Sequence, residues 1–321
     1  MKIAILMSTY NGQEYLPLQL ESIQQQTDQD WNLYIRDDGS TDDTLKIIKK
    51  YQQNDERVHL YQRKHGENLG VVGSFFELFR NIQADFYMFC DQDDVWLPTK
   101  ITATLTAMLE LRKQNDSATP LLVHTNKLIV DRKLNLLHAP SLEQRPHDLL
   151  SIVFFNNITG CTVMVDNNLK KYACRADLKD VFLHDHWLAL VAALLGKIAF
   201  VNEPLIKYRQ HGNNQYGGQD FFAVLRSSKL NKKIANLQRK WSDKSWPVKS
   251  LPVRQINQLY RLFIDDLDDG QSKQSLLAVY QALNGSKLKR MQFVKRYLPH
   301  QGTTGRRILS DTFFILGGKG F

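Results

Sequence analysis

The chain has 321 residues, with 42 Lys and Arg against 33 Asp and Glu and a formal charge of +9. Apolar residues make up 43% and charged residues 23%, a globular composition that excludes wholesale disorder. The length fits one large domain with an appendage, or two domains.

Three widely spaced cysteines, Cys90, Cys161 and Cys174, make neither a disulfide framework nor a paired metal knuckle. They favour a reducing compartment. The longest apolar run, Trp187–Leu195, is far shorter than the roughly 18–20 residues that a bilayer-spanning helix needs. The N-terminal MKIAILMSTYNG is too short in its apolar part for a signal peptide and reads as a first strand. A cytoplasmic protein is expected. Charge is uneven along the chain: residues 222–321 carry 19 basic and 6 acidic residues, whereas residues 1–221 carry 23 and 27. This predicts a body, 1–220, and a basic appendage, 221–321.

Taken in order, the body alternates β-rich runs with helical patterns, as a mostly parallel sheet with crossover helices requires. Ile3–Ser8 is a strand, and Leu16, Leu20 and Ile23 then recur at helical spacing. Leu33–Arg36 is a second strand, ended by Asp37-Asp38-Gly39-Ser40. Thr41 or Asp42 caps the next helix, in which Leu45 and Ile48 share a face. Val58–Tyr61 is a third strand, a helix carries Phe75, Leu78 and Phe79, and Phe86–Cys90 is a fourth strand. Pro98 suits the first position of a helix over 98–113. Leu121–Thr125, Leu128–Val130 and Cys161–Val165 read as strands, and a helix from about Asp185 closes near Gly196. Beyond Gly217-Gly218, apolar residues at three- and four-residue spacing predict about four basic amphipathic helices. They include Leu230, Ile234, Leu237 and Trp241, then Ile256, Leu259, Phe263 and Leu267, then Leu276, Tyr280 and Leu283.

Three acidic clusters fall just past strand ends, where open α/β sheets place their functional groups. They are Asp37-Asp38, then Asp91-Gln92-Asp93-Asp94, then His184-Asp185-His186-Trp187. Carboxylates packed as closely as Asp91–Asp94 repel one another unless a cation compensates. Hard oxygen ligands there suit Mg²⁺ or Mn²⁺, and the lack of clustered Cys or His argues against zinc. Trp187 either packs in the core or offers its ring face to a ligand. His184 and His186 fit structural roles equally well.

The segments Ser8-Thr9-Tyr10-Asn11-Gly12, Asp37-Asp38-Gly39-Ser40-Thr41-Asp42, Asn68-Leu69-Gly70 and Asp91-Gln92-Asp93-Asp94-Val95-Trp96 together resemble family 2 glycosyltransferases with a GT-A fold. The run CDQDDVWLPTK, with Leu183-His184-Asp185-His186-Trp187, is most similar to the bacterial rhamnosyltransferase branch. The resemblance covers about residues 1–215. It implies a mixed, mostly parallel α/β sheet and an inverting, metal-dependent transfer of a sugar from a nucleotide donor. It implies that Thr9, Tyr10, Asn11, Asp37 and Asp38 hold the base and ribose, with Asn68 and Gly70 against the donor. Asp93 becomes the metal ligand, Asp91 lies nearer the ribose, and His211 completes the metal or diphosphate contacts. Asp185 matches the family's base. Thr159, Gly160, His184 and Trp187 fall on the acceptor side.

The expected donor is dTDP-rhamnose, with a UDP-sugar as the alternative. The expected acceptor is a cell-surface polysaccharide or polyprenyl-linked precursor. A catalytically inactive nucleotide-binding scaffold is the competing class, against which the intact Asp91-x-Asp93 and Asp185 speak. A nucleotidyltransferase would show a Gly-rich phosphate loop where Ser8-Thr9-Tyr10-Asn11-Gly12 stands. The tail has no zinc-finger or RNP-type signature, so nucleic acid is not expected as a partner. Its basic residues Lys287, Lys289, Arg290, Lys295 and Arg296, and Arg306-Arg307 before Phe313-Phe314-Ile315-Leu316, fit the inner face of the plasma membrane. Packing on the body or an oligomer contact are the other uses of such a tail.

Overall fold

The computed structural model describes residues 1–62, 68–138, 146–211 and 251–297. Four strands open the sheet: β1 (Ile3–Thr9), β2 (Trp31–Asp37), β3 (Val58–Leu60) and β4 (Phe86–Asp91). Between them run helices α1 (Leu16–Gln24), α2 (Thr44–Asn54) and α3 (Gly70–Asn81). The order β3-β2-β1-β4 is parallel throughout, with Ile3 opposite both Trp31 and Phe86. The central strands β1 and β4 are apolar on both sides because helices cover both faces. On β1, Ile3, Ile5 and Met7 enter one core with Leu16 and Leu20 of α1, while Ala4 and Leu6 enter the other with Phe75 and Phe79 of α3.

The second half supplies β5 (Val95–Trp96), α4 (Lys100–Lys113), β6 (Leu121–Val130), β7 (Leu136–His138), α5 (Leu149–Phe155), β8 (Val163–Asp166), α6 (Asn167–Ala173), α7 (His184–Leu195) and β9 (Lys197–Arg209). Here β8 joins β4 antiparallel, β6 joins β8 antiparallel, and β9 runs parallel to β6. The result is one mixed, mostly parallel nine-stranded sheet, in the order β3-β2-β1-β4-β8-β6-β9-β5 with β7 on β6.

Several expected boundaries move. Pro98 and Thr99 form a turn and the helix begins at Lys100. The two strands expected over 121–130 are one, interrupted by register shifts around Asn126. Residues Gly160–Thr162 form a short 3₁₀ turn, leaving only Val163–Asp166 extended. Of the two cap candidates it is Asp42 whose carboxylate accepts the Thr44 N–H, at 3.0 Å. The long strand β9 was not foreseen.

From the appendage come α8 (Leu251–Phe263), α9 (Gln271–Leu283) and α10 (Lys287–Tyr297). The expected helix bearing Leu230 and Trp241 lies outside the described residues, as does 298–321. Ile256, Leu259 and Phe263 of α8, with Leu276 and Val279 of α9, continue the core that holds Trp187 and Leu190 of α7. Polar ties reinforce this packing. The Phe182 N–H donates to Gln255 Oε1 and the Asp177 N–H to Gln258 Oε1, both at 2.7 Å. Among the described residues no helix is long and apolar enough to cross a membrane.

Candidate active site

The carboxyl ends of β1, β2 and β4 lie side by side, Thr9 opposite Asp37 and Ser8 opposite Asp91. Parallel register therefore gathers the three N-terminal motifs on one rim. Asp37 closes its own turn, accepting from Thr9 Oγ1 (2.9 Å), Ser40 Oγ (2.5 Å) and the Ser40 N–H (2.8 Å). Tyr10 is half-exposed, and the left-handed Asn11 (φ 46°) ties the rim together by accepting the Thr41 N–H at 2.8 Å. Gln92 clamps Tyr10 from below, accepting its N–H at 2.9 Å and donating to its carbonyl at 3.0 Å.

Two expected donor ligands have their side-chain oxygens engaged inside the protein. Thr9 is buried and spends its hydroxyl on Asp37. Asp38 is buried too: one oxygen takes Arg36 Nη1 (2.5 Å) and the Leu69 N–H (2.7 Å), the other the Gly70 N–H (2.8 Å). Its carboxylate therefore neutralises Arg36 and caps α3 instead of facing a ligand. Asn68 joins the same cap, donating to the Asp38 carbonyl at 2.9 Å, and Gly70 supplies the positive φ of 66° that the helix entry needs.

The loop after β4 carries the acidic cluster. Asp93 Oδ2 lies 2.7 Å from His211 Nε2, and Tyr15 stacks on the imidazole with centroids 4.8 Å apart. Arg209 buttresses the loop, its Nε donating to the Asp93 carbonyl at 2.6 Å and its N–H to Asp94 Oδ1 at 3.0 Å. Ligand atoms of Asp91, Asp94 and Cys161 all lie within 4.8 Å of one another. Burial, then the Asp93 charge, pushes the Asp94 carboxyl up to about 7. Burial also raises Asp91, followed by the charges of Asp94, Asp93 and Asp185. Among the described residues Asp94 Oδ2 is buried with no hydrogen-bond partner. The fold thus brings the Cys161 thiol and the His211 imidazole to carboxylates that the sequence showed without either, and together these are donors able to hold a divalent cation.

Asp185 faces this cluster from the first turn of α7, where the helix dipole favours a carboxylate. One of its oxygens accepts the Gly160 N–H at 3.0 Å and the other the His186 N–H at 2.6 Å, so its orientation is fixed. Only glycine fits at 160, since a Cβ there would collide with the His184 ring. His184 is thereby corrected from an acceptor contact to a buried floor. It packs 4.4 Å from Phe75 and 5.4 Å from Phe89, and burial lowers its pKa and keeps it neutral. Trp187 is likewise corrected: it is fully buried, donates to the Ala173 carbonyl at 3.0 Å and cannot stack on a sugar. His186 is structural, hydrogen-bonded to the Ile152 carbonyl and to Gln255.

Besides Tyr15, Arg209 and Cys161, two more residues enter the site that sequence reasoning passed over. Lys127 of β6 donates to Thr159 Oγ1 at 2.6 Å and lies 4.5 Å from the Tyr208 ring centroid. Tyr208 is raised by burial and then by the charges of Cys161, Asp91, Asp94 and Asp93. The signal for Lys127 was the break between Leu121–Thr125 and Leu128–Val130, which is a register shift that re-aims a side chain.

An acidic cluster at the strand ends of an open mixed sheet, faced by a helix-borne carboxylate, fits a glycosyltransferase of the GT-A type. The chain belongs to glycosyl transferase family 2, whose sequence profile matches residues 4–165. It is 27% identical over 248 residues to the dTDP-rhamnosyl transferase RfbG of Shigella flexneri, covering 73% of this chain and 80% of that one. It is 28% identical over 220 residues to the putative teichuronic acid biosynthesis glycosyltransferase TuaG of Bacillus subtilis, covering 66% and 80%. The crystal structure of S. aureus TarS 1–349 with UDP superposes with a TM-score of 0.54 over 99% of this chain and 90% of that chain. At 16% identity that likeness bears on the fold.

Proposed function

We propose that the chain moves a sugar, L-rhamnose from dTDP-rhamnose being favoured, from a nucleotide donor to an acceptor hydroxyl in a single inverting displacement. The observation that supports this best is the facing of Asp185 and the Asp91–Asp94 loop, close enough for the Asp185 charge to act on Asp91. Asp185 takes the proton of the acceptor hydroxyl as the bond to the anomeric carbon forms. Its two backbone hydrogen bonds hold it on the attacking side. Tyr10 and Asn11 offer the exposed rim to base and ribose, and Asp37 keeps that rim in shape. Held by Asp93 and His211, with Asp91 nearby, Mn²⁺ or Mg²⁺ would supply Lewis-acid stabilisation to the departing diphosphate.

The rhamnose reading rests on the motif run 90–100 and on the likeness to RfbG. A UDP-sugar is the second reading, favoured by a TarS structure of the same fold that holds UDP-GlcNAc. The acceptor is proposed to be a cell-surface polysaccharide or lipid-linked precursor, in keeping with the names of RfbG and TuaG. We further propose that α10 docks on the anionic cytoplasmic membrane surface, where such acceptors are held. Its Leu288 and Met291 are exposed, as are Lys289, Lys295 and Arg296.

A panel of dTDP-, UDP- and GDP-sugars, assayed with Mn²⁺ or Mg²⁺ and with EDTA, tests the reading. Asp185→Asn is expected to lower kcat by roughly 10²–10⁴ while leaving donor affinity nearly unchanged, as loss of a general base does. Asp93→Ala is expected to lose the metal requirement and turnover together. Turnover of another sugar keeps the mechanism and discards rhamnose. Failure to bind or turn over any donor, with acceptor extract present, overturns the proposal.

A further inference from the structure

Beside the base and the acidic loop stands a cation with no ion-pair partner among the described residues. β6 and β9 pair Thr125 with Val201, Asn126 with Pro204 and Leu128 with Lys207, so β9 carries extra residues on both sides of Asn126. Lys127 consequently has no partner across the ladder, and its N–H is taken by Asn126 Oδ1 at 2.9 Å. Irregularities of this kind twist a strand and re-aim its side chains. Here the half-buried ammonium ends over the Tyr208 ring, against Thr159 Oγ1.

Both of these contacts are to neutral groups. Among the described residues no carboxylate lies within ion-pair distance of Lys127, although its charge reaches Asp94. An ammonium has three N–H donors, of which Thr159 uses one; the other two have no hydrogen-bond acceptor among the described residues, the Tyr208 ring lying 4.5 Å away. Keeping such a charge partly desolvated costs free energy that an anionic ligand recovers. The acceptor hydroxyl is neutral, so the group of opposite charge that reacts here is the donor's diphosphate.

We propose that Lys127 is the protein's own phosphate ligand, taking a non-bridging oxygen of the donor's β-phosphate through its free N–H groups. This rests on the glycosyltransferase reading given above. The placement adds positive charge where the leaving group gathers negative charge. It also joins both ends of the displacement on one track. Lys127 bonds Thr159, and the next residue, Gly160, bonds Asp185, so the groups on the leaving and attacking sides keep a fixed spacing.

The test is equilibrium binding of dTDP and dTMP, and of UDP and UMP, in Mn²⁺ to wild type, Lys127→Gln and Lys127→Arg. Gln removes the charge but can keep the bond to Thr159, so folding, checked by melting, is retained. Lys127→Gln is expected to weaken the nucleoside diphosphates by roughly tenfold or more, the scale of one charged hydrogen bond. The monophosphates should stay within about twofold, and Lys127→Arg should restore diphosphate binding. Equal weakening of di- and monophosphate, or unchanged diphosphate binding, overturns the proposal. A defect confined to the KM of a diphosphate-linked acceptor also overturns it, because the phosphate contacted is then the acceptor's. Should wild type bind none of the four nucleotides, the donor reading itself falls; should wild type and Lys127→Gln bind dTDP alike, only the role of Lys127 does.

Discussion

Lys100 places an ammonium beneath the acidic loop where water does not reach. It is fully buried, its Nζ finds no hydrogen-bond partner among the described residues, and it lies 4.8 Å from the Trp96 ring centroid. Burial pulls its pKa down to about 8, opposed by the charges of Cys161, Cys90 and Asp94. Below pH 8 the amine is charged in both folded and unfolded chains, and the cost of burying it is fully present. Between about 8 and 10.5 the folded amine is neutral while the unfolded one still binds a proton, so stability rises with pH across that window. Lys100→Met, which keeps the bulk and discards the charge, isolates the effect. Denaturation of both proteins from pH 7 to 11 should show wild type gaining on the variant by on the order of 3 kcal/mol. A pH-independent difference would show that the amine meets solvent.

Among elements, α3 depends on residues that precede it by thirty positions. Asp38 both pairs with the buried Arg36 and caps the N–H groups of Leu69 and Gly70. Asp38→Ala leaves that guanidinium without its carboxylate, and urea denaturation should record a loss of about 3–5 kcal/mol. Gly70→Ala should cost only about 1 kcal/mol, since φ is 66° but a Cβ there meets nothing within 4 Å. A larger loss in the second variant than in the first would refute the cap. This role of Asp38 shows what the sequence could and could not disclose. The parallel strands β1 and β4 were legible because their apolar runs are unbroken, and β2 because Leu33-Tyr34-Ile35 precedes a polar Asp-Asp-Gly-Ser turn. The end of each then marked a site loop. The direction of a side chain at such an end was not legible. Asp37 and Asp38 are adjacent, yet one edges the rim and the other is buried beneath α3. In the same way Asp185 was readable as a carboxylate at the site, whereas Trp187, two residues on, turns into the core because helical periodicity swings it about 200° away. Strand β9 escaped notice because Asn202-Glu203-Pro204 interrupts its apolar alternation. The interruption is the irregularity that frees Lys127.

At the scale of the whole molecule, the charge step near residue 220 suggested an appendage, but the described helices beyond it are built into the body. Phe263 of α8 packs against Trp187 with centroids 6.5 Å apart, and Arg254 and Arg261 both reach Asp180. Part of the basic charge is thus spent internally, and Arg290, expected on the docking surface, is buried. The side chain of Lys287 and the residues Arg306 and Phe313–Leu316 lie outside the described part. What α10 offers outward is narrower: Leu288, Met291 and Lys295 at spacings of three and four, flanked by Lys289 and Arg296. Apolar residues set among lysines and arginines bind an anionic bilayer by insertion plus Coulomb attraction, about 1 kcal/mol for each basic residue near the surface. Changing Lys289, Lys295 and Arg296 to Gln together should therefore lower the partition coefficient onto phosphatidylglycerol vesicles by on the order of a hundredfold. Sedimentation of the full chain with the vesicles, at low salt and again at 0.5 M NaCl, measures this. The wild-type binding should fall steeply with salt, and the triple variant, which lacks the three basic residues of α10, should respond less. Equal sedimentation of both proteins, or wild-type binding indifferent to salt, would leave α10 as a cap on the catalytic body and nothing more.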